Sequence, residues 1–460
     1  MLNKKKNRFN LYIFIVFFSG LFLGLSLSFK TTAKESVHKY LNIFHQAYQI
    51  IKNNYVEEVE PSHFFLGAIK GMTESLEDPF SRLLNKDSLE KLEEITTGKY
   101  VGIGIEITIK NKELIIIAPI ENSPAAKAGI LTGDIISQID GIDLKGKELD
   151  EIVNLIKGPL KSRLKLGIKR EGFKQLLPFE LEREEINLQH VESAILLNSS
   201  QDQIAYLKIK SFSIHSHEKV KSFLEKINIK NIDKLIIDLR NNAGGLLSSA
   251  INMADLFLPS KTKIVSTQGK KKNKCLYLTK DEALFKGKII ILVNQGSASA
   301  SEILAAAIKD NQRGQLLGEK TFGKASVQKT FNLDDDLALA LTIAKYYTPS
   351  GTLIHEKGIE PNYDVANFKV PLEEQKEIEK IKQNGLLNQF VTPKILYNKK
   401  SQESFKNFLK KNNVHLSSLT SNFLLKNKIY QFKKKPIYDL EFDYQLLEAL
   451  KKIESKITND

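Results

Sequence analysis

The stretch Lys288-Ile289-Ile290-Ile291-Leu292-Val293 leads straight into Asn294-Gln295-Gly296-Ser297-Ala298-Ser299-Ala300-Ser301-Glu302, and the apolar run Ser301 to Ile308 follows at once. A strand that ends at a serine-rich helix start exposes a small hydroxyl where free backbone amides favour negative charge. An acyl-transfer nucleophile works best in such a place. The alternative is a plain cap, with Ser299 or Ser301 satisfying helix amides. Outward from this junction, strand-like runs (Ile204 to Ile209, Lys234 to Leu239, Leu337 to Ile343) alternate with helical ones (Lys219 to Ile227, Leu246 to Leu256). That alternation predicts an α/β layered domain with crossover helices.

Two more segments of this domain carry chemistry. Gly318 to Gln328 is a glycine-bounded turn running into a strand, and it holds Lys324. A lysine acts as a base only when neutral, a state that burial favours; taken alone, Lys324 also reads as a solvated surface lysine. Asp238-Leu239-Arg240-Asn241-Asn242-Ala243-Gly244-Gly245 stands at another strand end, where two glycines let amides approach a ligand oxygen, or simply make a turn.

Elsewhere the chain changes character several times. Its 460 residues predict more than one domain, and 42% apolar against 27% charged residues exclude a disordered or collagen-like class. One cysteine, Cys275, forms no internal disulfide. Lys4, Lys5, Lys6 and Arg8 precede 19 uncharged residues, Leu11 to Phe29, which predict a membrane-targeting helix with everything after it sent across. Ser26-Leu27-Ser28 is a poor cleavage site, so a retained anchor is expected. Tyr40, Ile43, Phe44, Ala47, Ile50 and Ile51 recur at helical spacing, as do Phe65, Ala68, Ile69 and Met72, until Asp78-Pro79 interrupts. From Gly98 to about Glu182 the pattern is β-rich with a short helix, Leu149 to Ile156. There Tyr100-Val101-Gly102-Ile103-Gly104-Ile105 could present amides to a terminal carboxylate while a strand edge pairs with peptide. After Pro371 the chain is helical and basic, with 18 lysines against 11 acids from Phe368 on, half of the net charge of +14. Eight scattered histidines, no Cys/His cluster and no phosphate loop give no support to a metal, a cofactor or a nucleic-acid partner.

Together these segments resemble the carboxyl-terminal processing peptidases, or tail-specific proteases, serine peptidases with an embedded PDZ domain. The resemblance covers about Val37 to Val365. Gly102 to Ile107, Ser123-Pro124-Ala125-Ala126, Ala128-Gly129, Gly133 to Ile136 and Ile139-Asp140-Gly141 look like the PDZ domain. Asp238 to Gly245, Gly296 to Glu302, Thr321 to Gln328 and Tyr346 to Gly351 look like the peptidase motifs. The resemblance implies Ser299 as nucleophile, Lys324 as general base and Gln328 as the residue positioning the lysine. It implies an oxyanion hole from Ala300 with Gly244 or Gly245, and a peptide groove from Gly102, Ile103, Gly104, Ile105, Ile152 and Ile156. Ala243 and Ala325 replace the usual Pro and Gly. Lys157 stands where an Arg often links PDZ domain to active site, and lacks that residue's planar fork.

The expected organisation is a multidomain α/β and α+β chain: a signal-anchor segment (1–30), a helical region (35–97), a PDZ domain (98–182), an α/β serine-peptidase core (183–367) and a basic helical extension (368–460), a candidate oligomer, adaptor or membrane-surface contact. The expected function is a membrane-anchored endopeptidase of the cell envelope, its catalytic part on the outer side, acting on proteins or peptides with free apolar C-termini. An inactive PDZ scaffold and a Ser-His-Asp hydrolase using His355 are the alternatives.

Overall fold

The computed structural model describes residues 37–454 except 111, 112, 121, 132, 148, 171, 172, 174, 198–201, 271, 272 and 393. The Leu11 to Phe29 segment lies outside the described residues. Among the described residues no helix is long and apolar enough to cross a membrane.

The chain divides at Leu83/Leu84 into two compact units. In the first, helix 37–54 and helix Pro61–Glu74 meet through aromatic rings, with Tyr48 5.7 Å from Phe64 and 5.5 Å from Phe65. Pro61 begins the second helix, where its missing N–H costs nothing. The expected helical region, 35–97, is thus split, because helix Lys86–Thr97 belongs to the second unit.

Within that unit, five antiparallel strands lie in the order Ile105–Lys110, Glu113–Pro119, Ile135–Ile139, Arg163–Lys169, Leu177–Glu182. Alternate residues Leu164, Leu166 and Ile168 point inward, as a strand's two-residue period requires, and join Ile103, Ile116, Ile136 and Ile152 in one core. Gly104, at φ +72°, breaks the expected single strand Val101 to Ile109 into Lys99–Gly102 and Ile105–Lys110.

A six-stranded sheet forms the next layer: Val191–Leu197 antiparallel to Gln203–Ile209, then Lys234–Asp238, Lys288–Val293, Gln315–Gly318 and Tyr363–Asp364 in parallel. Its central parallel strands, Lys234–Asp238 and Lys288–Val293, are buried on both faces and run apolar at successive positions. Ile289, Ile291 and Val293 face the helices Ser216–Ile229, Leu247–Asp255 and Ala300–Asp310, while Ile290 and Leu292 face the other way. A second antiparallel sheet contains Lys263–Gly269, Lys274–Leu278, Ser326–Asn332 and Ala338–Tyr347.

The region after Phe368 is not one extension. Helices Gln375–Gln383, Leu386–Phe390, Lys399–Lys411 and Ser418–Ile429 turn their apolar faces into a core of their own around Val391, Phe405 and Leu425. Helix Tyr444–Glu454 instead covers the second face of the catalytic sheet. Leu446, Ala449, Leu450 and Ile453, spaced as one helical stripe, pack on Tyr206, Ile236, Ile290 and Leu292. The helix is held end-on by Arg240, whose guanidinium bonds Asp238 at 2.6 and 2.9 Å and Asp443 at 2.6 and 2.7 Å. Burial alone would raise the Asp238 carboxyl, but the charge and hydrogen bonds of Arg240 and the Tyr206 hydroxyl hold it below the usual range.

Leu446→Ala should lower unfolding stability by about 2 to 5 kcal/mol, whereas Lys451→Ala, on the exposed face, should stay within about 0.5 kcal/mol. Denaturant melts distinguish the two. Because the native pKa of Asp238 lies below the unfolded one, its ionised form adds stability above roughly pH 4 that is lost as pH falls through the native pKa. Asp238→Asn should therefore melt lower than the wild type at pH 7, and thermal scans at decreasing pH should show the gap closing below roughly pH 4.

Candidate active site

The three serines after strand Lys288–Val293 have different fates. Ser297 and Ser301 are fully buried, and their hydroxyls donate to the carbonyls of Leu239 and Asn242, each at 2.8 Å. They tie the junction to the neighbouring strand end. Ser299 is half-exposed and stands at the start of helix Ala300–Asp310 with φ 56° and ψ −115°. A residue with a Cβ adopts that conformation at a cost of about 1 to 3 kcal/mol. Such strained strand-to-helix turns present a nucleophilic serine.

One turn further on, Glu302 is fully buried and accepts four hydrogen bonds. Thr321 Oγ1 and the Gly323 amide donate to Oε1 at 2.6 and 2.7 Å; the Ser299 and Lys324 amides donate to Oε2, each at 2.9 Å. A single carboxylate thus fixes the backbone at Ser299 and at Lys324. Burial pushes this carboxyl above its usual range, and the four donors pull it back. Sequence reasoning gave Glu302 no role. The spacing Ser299-x-x-Glu302 is a readable capping pattern, but capping uses only one of its four bonds.

Tyr346 closes the same joint from the second sheet. Its buried hydroxyl lies within hydrogen-bonding distance of the Ser299 carbonyl, at 3.1 Å, and of the Lys324 carbonyl. Burial, with Glu302 nearby, keeps the phenol protonated by raising its pKa well above normal. Lys324 itself is half-buried. The Gln328 amide nitrogen donates to Ser326 Oγ at 2.8 Å and Thr342 Oγ1 at 3.2 Å. His355 is close by, but its Nδ1 accepts from the Ala325 amide at 3.4 Å. A triad base needs that nitrogen protonated toward a carboxylate, so this geometry disfavours a Ser-His-Asp arrangement.

The glycine turn packs directly against the serine. A Cβ on Gly244, at φ +104°, would lie 2.8 Å from Ser299 Cβ and 2.9 Å from the Ala300 nitrogen. Only glycine fits there. The Gly244 amide, however, donates to Asn242 Oδ1 at 2.9 Å, so it is spent inside the turn. Among the described residues the amides of Gly245 and Ala300 have no acceptor, which leaves these two to meet an oxyanion.

In the β-rich domain, strand Ile105–Lys110 is the outermost of its sheet, with an edge open to a further strand. The carbonyls of Ile103 and Gly104 are already used, by the amides of Ala125 and Ile120, while Gly102 pairs with Glu184. Ile103 itself is a core residue. The expectation that Ile152 and Ile156 wall an open groove needs correcting: they are 2% and 7% exposed and pack their helix onto the sheet. Lys157 donates to Glu94 Oε1 at 2.5 Å, tying this domain to helix Lys86–Thr97. Among the described residues no cluster could hold a metal ion.

Glu302→Gln preserves size but turns an acceptor into a donor facing backbone amides. It should cost about 1 to 3 kcal/mol of unfolding free energy, measurable by denaturant melts, and loosen both loops together.

Comparison with known proteins identifies the family. Residues 203–365 match peptidase family S41, 115–170 a PDZ domain, and 25–88 the activating protease CtpB N-terminal domain. The carboxy-terminal-processing protease of Bartonella bacilliformis is 36% identical over 359 residues, 76% of this chain and 81% of that one. That of Synechocystis is 37% identical over 321 residues, 69% and 75% of the two chains. The solved photosystem II D1 C-terminal processing protease is 27% identical and covers 70% of this chain and 86% of its own, with a TM-score of 0.43. The chain belongs to the carboxyl-terminal processing proteases of peptidase family S41, serine-type peptidases that carry a PDZ domain.

Proposed function

We propose that this peptidase cleaves by a Ser299–Lys324 dyad through an acyl-enzyme, on substrates whose free C-termini dock at the PDZ strand edge. The observation that carries the reading is the Glu302 carboxylate, which holds the strained Ser299 and the Lys324 backbone in one rigid joint. Neutral Lys324 takes the Ser299 proton as Oγ attacks the scissile carbonyl carbon. The resulting oxyanion is met by the Ala300 and Gly245 amides. Lys324 then hands its proton to the departing amine, the C–N bond breaks, and the acyl group stays on Ser299. Water, deprotonated by the same lysine, releases it and restores the serine. Gln328, whose amide nitrogen is engaged by Ser326 and Thr342, offers its carbonyl oxygen to orient the lysine amine.

Substrate selection follows from the edge strand Ile105–Lys110. A peptide added there as an extra strand would end at the Gly102–Gly104 turn, whose amides suit a terminal carboxylate. Free apolar C-termini are the favoured tails. The location proposed is the outer side of the cytoplasmic membrane, held by the Leu11 to Phe29 segment behind its basic cluster.

Ser299→Ala, Lys324→Ala and Lys324→Arg should each lower peptide hydrolysis by about a thousandfold or more while melting cooperatively. Guanidinium stays protonated, so arginine cannot replace the base. Ser297→Ala and Ser301→Ala should keep measurable turnover. Near-normal kcat in Lys324→Ala would refute the dyad, and equal rates on a free-acid peptide and its C-terminal amide would refute tail selection.

A further inference from the structure

The acceptor set around Arg240 is complete in a way that the cleavage chemistry does not require. Nε donates to Asp238 Oδ1 at 2.9 Å. One terminal nitrogen donates to Asp238 Oδ2 at 2.6 Å and to Asp443 Oδ2 at 2.7 Å. The other donates to Asp443 Oδ1 at 2.6 Å and to Gln445 Oε1 at 3.1 Å. All five N–H groups of the buried guanidinium are used. Two of the three acceptors, Asp443 and Gln445, stand about 200 residues downstream, at the start of the last helix. Asp443 Oδ1 also accepts the Leu446 amide at 3.0 Å, so the same carboxylate starts that helix and holds the arginine.

Arg240 opens the turn that ends in Gly244 and Gly245, of which Gly245 has the amide left for an oxyanion. After it, the Asn241 amide donates to Asn294 Oδ1 at 2.9 Å, and the Asn242 carbonyl accepts from Ala298 N at 3.0 Å and Ser301 Oγ at 2.8 Å. A shift of Arg240 would therefore reach Gly245 and the serine turn through consecutive short contacts. We infer that Asp443 is a positioning residue for catalysis: through Arg240, the last helix sets the oxyanion turn. The inference rests on Ser299 as the nucleophile.

The test uses the full chain. Asp443→Asn keeps the helix cap, since Asn caps as well as Asp, but replaces one guanidinium acceptor by a donor. It should lower kcat by about tenfold or more with KM changed less than about threefold, the mark of an interaction needed in the transition state. Hydrogen exchange at 241–245 should speed up while strand Lys288–Val293 stays protected. In an Arg240→Leu background, Asp443→Asn should have no further effect on kcat. A kcat within about twofold of wild type, or kcat losses that multiply in the double variant, would overturn the inference. Should Asp443→Asn not fold, Gln445→Met removes the fifth acceptor together with the side chain's own bond to the Val365 carbonyl at 2.8 Å, and an unchanged kcat there overturns it equally. If the wild type hydrolyses no peptide, the dyad reading falls, and exchange at 241–245 alone decides the role of Asp443.

Discussion

The buried Glu302 carboxylate is the constraint on which the catalytic joint depends. A fully buried charge is expensive unless every lone pair is used. Here that cost is offset by three backbone amides and one hydroxyl, and those donors lie on the two loops that carry Ser299 and Lys324. The same four bonds satisfy the carboxylate and hold the Ser299 and Lys324 loops against each other. Glu302 is at once a first-turn helix residue and a long-range clamp, and the backbone strain at Ser299 persists because this surrounding structure holds it.

That joint rests on a sheet covered on both faces. Three helices pack on one side and the last helix of the chain on the other, so strands such as Lys288–Val293 are apolar at successive positions. Their ends come out of the core together, and the serine, the lysine and the glycine turn all follow such ends. The second sheet adds Tyr346, whose hydroxyl meets both loop carbonyls. Rigid elements supply position, and short loops supply chemistry.

The PDZ domain has a separate core and a separate logic. Its outermost strand, Ile105–Lys110, leaves one row of backbone hydrogen-bonding groups at the sheet edge. The burial of Ile152 and Ile156 means that their helix is tied firmly to the sheet, and the Lys157–Glu94 pair ties the domain to the helix before it. Both partners of that pair are partly exposed, so it orients more than it stabilises.

Much of this was legible locally. The alternation of strands and helices, the serine-rich junction, the glycine turn and the PDZ segment each follow from residues close together in the chain, because periodicity, helix starts and positive-φ turns are local properties. Which of Ser297, Ser299 and Ser301 is exposed was not local: two of them are spent on Leu239 and Asn242, nearly sixty residues upstream. Nor could the sequence tell that Gly244 uses its amide within the turn and leaves Gly245 free, or that the chain after Phe368 divides between a separate helical core and a layer of the catalytic sheet. The amphipathic stripe of Leu446 to Ile453 predicts that something is covered, but not what. Glu302, Arg240 and Asp443 gain their roles from partners 20 to about 200 residues away, and only the tertiary structure brings those charges and donors together.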